Sequence, residues 1–482
     1  MRIAAGAIDP AAGERRLRQN RLIRPTYAEK FRCIGAACED TCCQGWSVPI
    51  DQKSFEKYQQ MPDVPLKALI LSSLQGPEPG AEPDPKSWAR IRMVEGNQCP
   101  LLLPNKLCRI QSEFGHDFLS HVCAVYPRNI HNIDDYREIS LSLSCPEAAR
   151  LVLLDPDLLA CDLLPVHESD ERIDAQIDLQ TTRNPQQTET CVAGVADGAE
   201  AAHEEKQPTG VSLLLSSFWL IRATILELLR NRDYPLWQRM FLLSILCSRL
   251  DAIARGEINR SVPDFLNDFE MSVATGALKA AMETLPLDRT AQLDVVLRLA
   301  GSMLHRSNVR PRFVEIVQAF TSGIGNGPGA TLESLSAHYA FAHDRYYAPF
   351  IESHPHILEN YLVNTMLRGN FPFGKNARGA GERFAMSREF ALLTAQFALM
   401  KGLLIGVAGH HRQAFNADHI VHTFQAAAKH FEHHPEFLNQ AHALLVESRM
   451  DGARGMAILL RNTAPAEPRP ATAEIRIPAM QA

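Results

Sequence analysis

The spacing of apolar and polar positions changes character along the chain. From about Tyr27 to Leu164 the apolar residues come in short alternating runs: Trp46, Val48 and Ile50 after Gly45, then Ala89, Ile91 and Met93, then Ile139, Leu141, Leu143 and Cys145. A period of two predicts short strands. In the third run Ser140, Ser142 and Ser144 share the opposite face. Asp51 follows the first run as a helix cap, Glu95-Gly96-Asn97 offers a turn, and Pro146 opens a short helix. The stretch GPEPGAEPDP at 76–85 reads as a surface loop.

Between 166 and 210 large apolar residues become scarce and Glu, Asp, Gln, Thr and Ala dominate, which predicts a disordered linker or insert. Beyond Val211 the period becomes helical. Leu214, Phe218, Ile221, Ile225 and Leu228 form one stripe, Leu358, Leu362 and Met366 a second, and Phe390, Leu393, Phe397, Met400 and Leu404 a third, with Pro372 and Gly374 marking a stop. The run Gly323-x-Gly325-x-Gly327-x-Gly329 follows helical text and contains Pro328, so it reads as an interhelical loop and not as a phosphate cradle. No repeat of fixed period is evident. The expected fold is mainly α: an N-terminal Cys-rich module with short strands, followed by an irregular α-helical body. Its expected bounds are a flexible basic extension over 1–26, the Cys-rich module over 27–165, the insert over 166–210, the helical domain over 211–461 and a flexible tail over 462–482.

Composition sharpens this in two ways. With 482 residues, 46% hydrophobic and 22% charged, the chain is globular and too long for one compact core. A net charge of −6 argues against a surface that grips nucleic acid as a whole. The N-terminus lacks the apolar core of a secretory signal, and Arg15, Arg16, Arg18, Arg21 and Arg24 read as a solvated mobile extension, with contact to an acidic partner as the alternative. The most apolar stretch, from Val211, carries Arg222 and Glu227, which lipid would penalise, so a buried helix is expected and no membrane insertion. These features predict a cytoplasmic chain with reduced thiols.

Of eleven cysteines, eight lie between Cys33 and Cys145. FRCIGAACEDTCCQGW supplies Cys33, Cys38, Cys42 and Cys43, and later segments supply Cys99, Cys108, Cys123 and Cys145. Clustered thiols in a reducing compartment point to a metal or cluster, with glycines 35 and 45 letting the loop curl around it. The competing reading is buried small hydrophobes. No CxxC pair exists, which removes the classical zinc knuckles, and the CxxxCxxC signature of radical S-adenosylmethionine enzymes fails because Cys43 directly follows Cys42. What remains is a less standard iron–sulfur or zinc site, since all-thiolate sites serve both. Along an extended chain, adjacent Cys42 and Cys43 point apart, so one of the two is expected to ligate. Cys161 and Cys247 lie in apolar, helical text and are expected to be core residues, and Cys191 falls inside the insert.

The histidines crowd late in the chain, at His410, His411, His419, His422, His430, His433 and His434. His419 and His422 share a helix face and could bind metal, but no HExxH pattern accompanies them, so a polar face is the expectation. There is no GxSxG, P-loop, kinase or paired-carboxylate signature.

FRCIGAACEDTCCQGWSVPID, followed by CPLL, CRIQ, CAVYPR and LSLSCPEAARL, resembles the flagellin lysine-N-methylases of flagellated bacteria. More loosely it is similar to small cysteine-cluster proteins described as zinc- or iron-chelating. In the helical half, ENYLVNTMLRGNFPFG and the stretch from Phe424 to Leu438 resemble the same family. The resemblance implies methyl transfer from S-adenosylmethionine to the ε-amine of surface lysines on flagellin. It also implies an iron–sulfur cluster, expected as 4Fe-4S with zinc as the alternative, held by a subset of Cys33, Cys38, Cys42, Cys43, Cys99, Cys108, Cys123 and Cys145, with four expected to be used. A lysine must lose its proton before it attacks a sulfonium carbon, so the site must desolvate it or accept that proton. Tyr126, Asp40 and Tyr361 are candidates, against the plainer readings of a turn tyrosine, a solvated acid and a core aromatic. Glu359, Asn360 and Asn364 either bind a ligand or cap and solvate a helix. A zinc- or iron-binding adaptor without catalysis, and electron transfer without methylation, are the alternative functions.

Overall fold

The computed structural model describes residues 21–46, 48–76, 84–133, 136–157, 161–165, 210–304, 309–377, 384–432 and 435–462. Except for Gly210, which opens a helix, the insert expected over 166–210 lies outside them, as do most of the 76–85 loop, Cys191, His433, His434 and the tail from 463. The fold is mainly α, as expected, with short strands confined to the N-terminal third.

The helical body is built on one helix, Met386–His411, whose residues from Glu389 to Ala408 are all buried. A helix apolar on every side can only sit inside other helices. It is also the one helix, among the described residues, that is long and apolar enough by itself to cross a membrane, and its most apolar window is wholly buried in the fold. Gly323 on the helix Pro311–Gly323 meets Gly406 and Gly409 on the central helix so closely that a Cβ at Gly323 would overlap the Gly406 carbonyl. Asp251, on the helix Leu236–Ala254, caps the central helix from outside: its carboxylate accepts from the Met386 and Ser387 amides at 2.7 and 2.9 Å and from the Ser387 hydroxyl at 2.6 Å. The expected stripe from Leu214 to Leu228 is buried, but it is carried by two helices, Gly210–Ser216 and Phe218–Arg230, bent by 66°. The glycine run from 323 is indeed a connection, between Pro311–Gly323 and Leu332–Ala342.

Two sheets accompany the helices. A three-stranded antiparallel sheet is ordered Pro49–Ile50, Ala89–Ile91, Leu74–Gln75. Asp51 caps the helix Gln52–Gln59 by accepting from Ser54 N, as its position predicted. The four-stranded sheet is ordered Arg128–Ile133, Tyr136–Leu141, Arg21–Pro25, Cys161–Pro165. Arg21–Pro25, expected in the flexible extension, is therefore an internal strand, parallel to Tyr136–Leu141 and antiparallel to Cys161–Pro165. Cys161 is in a strand and not in a helix.

The apolar residues form two cores. The larger joins Tyr27, Phe31, Leu141, Leu143 and the helix Pro146–Leu154 to the helical body. The smaller gathers Val48, Ile50, Tyr58, Ile70, Ile91, Leu101 and Ile110, with Cys43, Cys99, Cys108 and Cys123 in its wall. The ends of the Cys-rich segment thus pack on the helices, and its middle makes a core of its own.

Candidate functional site

The smaller core encloses a pocket with about 730 Å³ of empty space, part of it open to solvent. Its lining is mostly apolar, apart from Ser73, Gln111, Ser120 and a group of cysteines. Cys42, Cys43, Cys99, Cys108 and Cys123 border it, together with Trp46 and Tyr126. Four separate segments deliver these thiols. Cys42 and Cys43 sit in a tight turn and not in an extended strand, which is why both face the same pocket. Cys99 donates its amide to the Cys43 carbonyl at 2.8 Å, bringing the second segment alongside the first. Cys108 stands at the N-cap of Arg109–Phe114, and Cys123 lies in the short helix His121–Val125.

Three of the thiols touch. Cys43 lies within hydrogen-bonding reach of both Cys42 and Cys108, so it keeps its proton, and its own ionisation is pushed far up. The bond from Cys43, opposed by burial and helped by the amides of Gln111 and Ile110, brings the Cys108 thiol down to about 6. Cys42 is lowered by the same contact with Cys43. Burial raises Cys99 to about 11 and Cys123 to about 12. The pocket therefore mixes thiolate-prone and thiol-retaining groups. Among the described residues, no three His, Cys, Asp or Glu side chains are already arranged around one point as metal ligands.

The other three cysteines of the predicted pool lie outside the lining. Cys145 is buried at the N-cap of Pro146–Leu154, where burial lifts it to about 12. Cys38 is half-buried and Cys33 exposed. Cys247 is a fully buried core residue, as expected.

The helical body closes over the cysteine turn with charge. Lys429, on the helix Ala417–Phe431, donates to Asp40 Oδ1 and to the Thr41 carbonyl, both at 2.7 Å. Gln425, one turn earlier, donates to Asp40 Oδ2 at 2.7 Å and to the Ser144 carbonyl at 3.0 Å. Burial works against an ionised Asp40, but Lys429, the Thr41 amide and Gln425 together hold its carboxyl below the ordinary range. Burial also makes Lys429 a weaker base than usual, an effect that Asp40 opposes. Arg310 reaches in from the start of Pro311–Gly323 and donates to the carbonyls of Gln44, at 3.1 Å, and Gly45.

The sequence candidates separate accordingly. Tyr126 lines the pocket, with its ring stacked on Trp46 at 6.4 Å between centroids. Its hydroxyl lies 3.1 Å from Ser144 Oγ, and burial pushes its ionisation well up. Asp40 is a buried ion-pair member and not a solvated acid. Tyr361 is a core aromatic against Phe424, 4.6 Å between centroids. Glu359 is buried between Arg232 and Arg239 at 2.6 and 2.8 Å. Asn364 pairs with both backbone groups of Leu141 and receives the Tyr27 hydroxyl, fastening the sheet to the helix His356–Gly369, and Asn360 donates to the Asp155 carbonyl at the end of Pro146–Leu154.

His410 and His411 end the central helix, and the His411 ring lies 3.7 Å from that of His419. His422 faces Glu315 at 3.8 Å, and His430 is buried on Phe313. Sequence reasoning missed Arg310, which precedes its helix as an N-cap, and Gln425 and Lys429 within theirs. For Gln425 and Lys429 the only signal was polarity within an otherwise apolar buried stretch.

Comparison with known proteins bears on the helical body first. Residues 222–459 match the FliB lysine N-methylase C-terminal domain. The lysine-N-methylase of Salmonella typhimurium is 32% identical over 137 residues, 28% of this chain and 33% of that protein. The flagellar biosynthetic protein FliU of Salmonella muenchen is 32% identical over 137 residues, which is 79% of its length. A lysine-N-methylase of Salmonella choleraesuis matches at the same identity over 33% of its length, so the matched stretch spans about a third of the two lysine-N-methylases. No solved structure matches the chain. The domain match takes in Arg310, Gln425 and Lys429, the side chains that close over the cysteine turn, and with the extent of the FliU match it shows that this chain belongs to the FliB lysine N-methylase family.

Proposed function

We propose that this chain is a cytoplasmic protein lysine N-methyltransferase that moves a methyl group from S-adenosylmethionine to surface lysines of flagellin, and that its cysteine pocket holds an iron–sulfur cluster. One observation carries the reading: five cysteines from four segments border a single apolar pocket, at the seam where the FliB-type helical domain grips the cysteine turn. Thiols serving only as small apolar filler would pack against their neighbours, whereas these border a cavity. A soft, all-sulfur donor set in a mostly apolar wall suits an iron–sulfur cluster by ligand type and number. Cys42, Cys43, Cys99, Cys108 and Cys123 are the residues that would hold it. Such a group, when bound, supplies redox or Lewis-acid chemistry and braces the loops that carry its thiolates.

The protein's own residues do the rest. The apolar wall disfavours an ammonium ion and so favours the neutral amine that attacks the sulfonium methyl. Trp46 and Tyr126 offer aromatic faces on which a cationic side chain can settle. Attack forms the C–N bond as the C–S bond breaks, and the proton lost by the lysine must leave through a group in the wall. Anaerobic purification with iron, sulfide and zinc analysis, followed by mass spectrometry of flagellin after incubation with S-adenosylmethionine, tests the reading. Methyl increments on lysines together with bound iron are expected. Stoichiometric zinc with unmodified flagellin would favour a binding protein without catalysis and overturn it.

A further inference from the structure

We propose that Tyr126, Ser144, Ser142 and Glu432 form a proton relay that carries the substrate lysine's proton out of the cysteine pocket to the Glu432 carboxylate. The proposal rests on the methyltransferase reading and adds the destination of the proton.

The geometry begins in the pocket wall with Tyr126. Its hydroxyl is 3.1 Å from Ser144 Oγ, Ser144 Oγ is 2.6 Å from Ser142 Oγ, and Ser142 Oγ donates to Glu432 Oε2 at 2.5 Å. The far carboxylate oxygen, Oε1, faces Arg368 at 3.5 Å, and the Glu432 side chain is only 5% exposed. A carboxylate paired with arginine only accepts, so Ser142 must donate to it. Ser142 then spends its single proton on Glu432 and accepts from Ser144, and Ser144 in turn accepts from Tyr126. Every bond in the chain is forced to run one way, from pocket to carboxylate. The Tyr126 oxygen keeps a lone pair for a new proton.

The balance is simple. The lysine ammonium gives a proton to Tyr126 Oη as Tyr126 passes its own to Ser144, Ser144 to Ser142 and Ser142 to Glu432. The products are a neutral amine and a neutral Glu432 carboxylic acid, and the hydroxyls are unchanged in number of protons. Burial holds Tyr126 in its neutral form, which suits a member that relays without storing charge. The groups facing Glu432 are Arg368 and Tyr361 from His356–Gly369, Ser142 from the segment after Tyr136–Leu141, and, further off, Tyr126 itself. The strand Tyr136–Leu141 does not run on to Cys145 as its alternation predicted; the chain turns through Leu143 and Ser144 into the helix Pro146–Leu154, and this turn sets the Ser142 and Ser144 hydroxyls side by side.

The test compares anaerobically purified full-length protein with its Glu432→Gln, Glu432→Asp, Ser142→Ala and Tyr126→Phe variants, using flagellin and S-adenosylmethionine. Glu432→Gln and Tyr126→Phe are expected to lower kcat by about 100-fold, the scale of one general base, with KM for flagellin and iron content unchanged. Glu432→Asp should recover part of the loss. The gap between wild type and Glu432→Gln should close as pH rises toward about 10.4, the ordinary lysine pKa, because the substrate then deprotonates unaided. Wild-type turnover with Tyr126→Phe and Glu432→Gln both within about threefold of it would overturn the relay while leaving the methyltransferase reading intact. If Glu432→Gln fails to fold, Tyr126→Phe decides alone, since it keeps the ring and removes the hydroxyl. A wild-type protein that methylates no lysine would overturn both.

Discussion

At Gly45 two demands meet in one residue. Its backbone stands at φ 86°, where a side chain is disfavoured, and a Cβ there would overlap the guanidinium of Arg310. Gly96 stands at φ 72° with nothing near its would-be Cβ. The pair separates backbone strain from crowding. Gly96→Ala is expected to cost about 1–2 kcal/mol of unfolding free energy. Gly45→Ala should cost at least about 1 kcal/mol more, as crowding adds to strain, and urea denaturation of both variants checks the difference. His343 gives a pH-dependent counterpart. It is buried in a π-helical turn, His343–Tyr347, and burial lowers its pKa to about 4 even though Asp344 accepts a hydrogen bond from it at 2.7 Å. A histidine that resists protonation when folded binds more protons when unfolded, so stability falls as pH drops from about 6.5 toward about 4. His343→Gln should flatten that part of the stability curve, measured as melting temperature against pH.

Among the elements, the central helix depends on a cap that its own sequence does not contain. Ala385 precedes it and offers no side-chain acceptor, so Asp251 supplies both oxygens from 135 residues away. Asp251→Ala is expected to cost about 2 kcal/mol, the upper range for a lost cap, because the Met386 amide it leaves is buried. Asp251→Asn should cost less, and thermal melting would order the two. This cap shows where sequence legibility stops. Asp51, three residues before Ser54, could be recognised as a local cap, whereas Asp251 looks like any acid in helical text. The same limit applies to the strand Tyr136–Leu141. Alternation predicted a strand through Cys145 with Ser140, Ser142 and Ser144 on one face, but the strand ends at Leu141 and Ser142, in the turn that follows, meets Glu432 across 290 residues; periodicity carries no information about what a face will meet. Glu359 and Asn364 were legible as polar residues on an apolar helix, but only the fold reveals that arginines and strand amides absorb them.

At the scale of the whole molecule, the cysteine turn is fastened to the helical body by polar bonds at its seam. Lys429 to Asp40 and Thr41, Gln425 to Asp40, and Arg310 to Gln44 and Gly45 link the two. The side chains of Lys429 and Asp40 are 7% and 11% exposed, so water screens them little. Removing one partner of such a pair leaves the other buried and uncompensated, at about 3–5 kcal/mol. That cost need not unfold the helices, whose core is apolar and independent of Asp40. It is expected instead to release the turn. Lys429→Met should therefore raise amide exchange and protease cleavage selectively within residues 33–46, while exchange in Met386–His411 stays slow. Clustered cysteines mark the turn as candidate chemistry, but the position of that chemistry relative to the helical domain depends on a lysine and a glutamine from one distant helix and an arginine at the start of another. Equal exchange gains in turn and central helix would mean that the seam is part of one cooperative unit and that the docking is not a separable step.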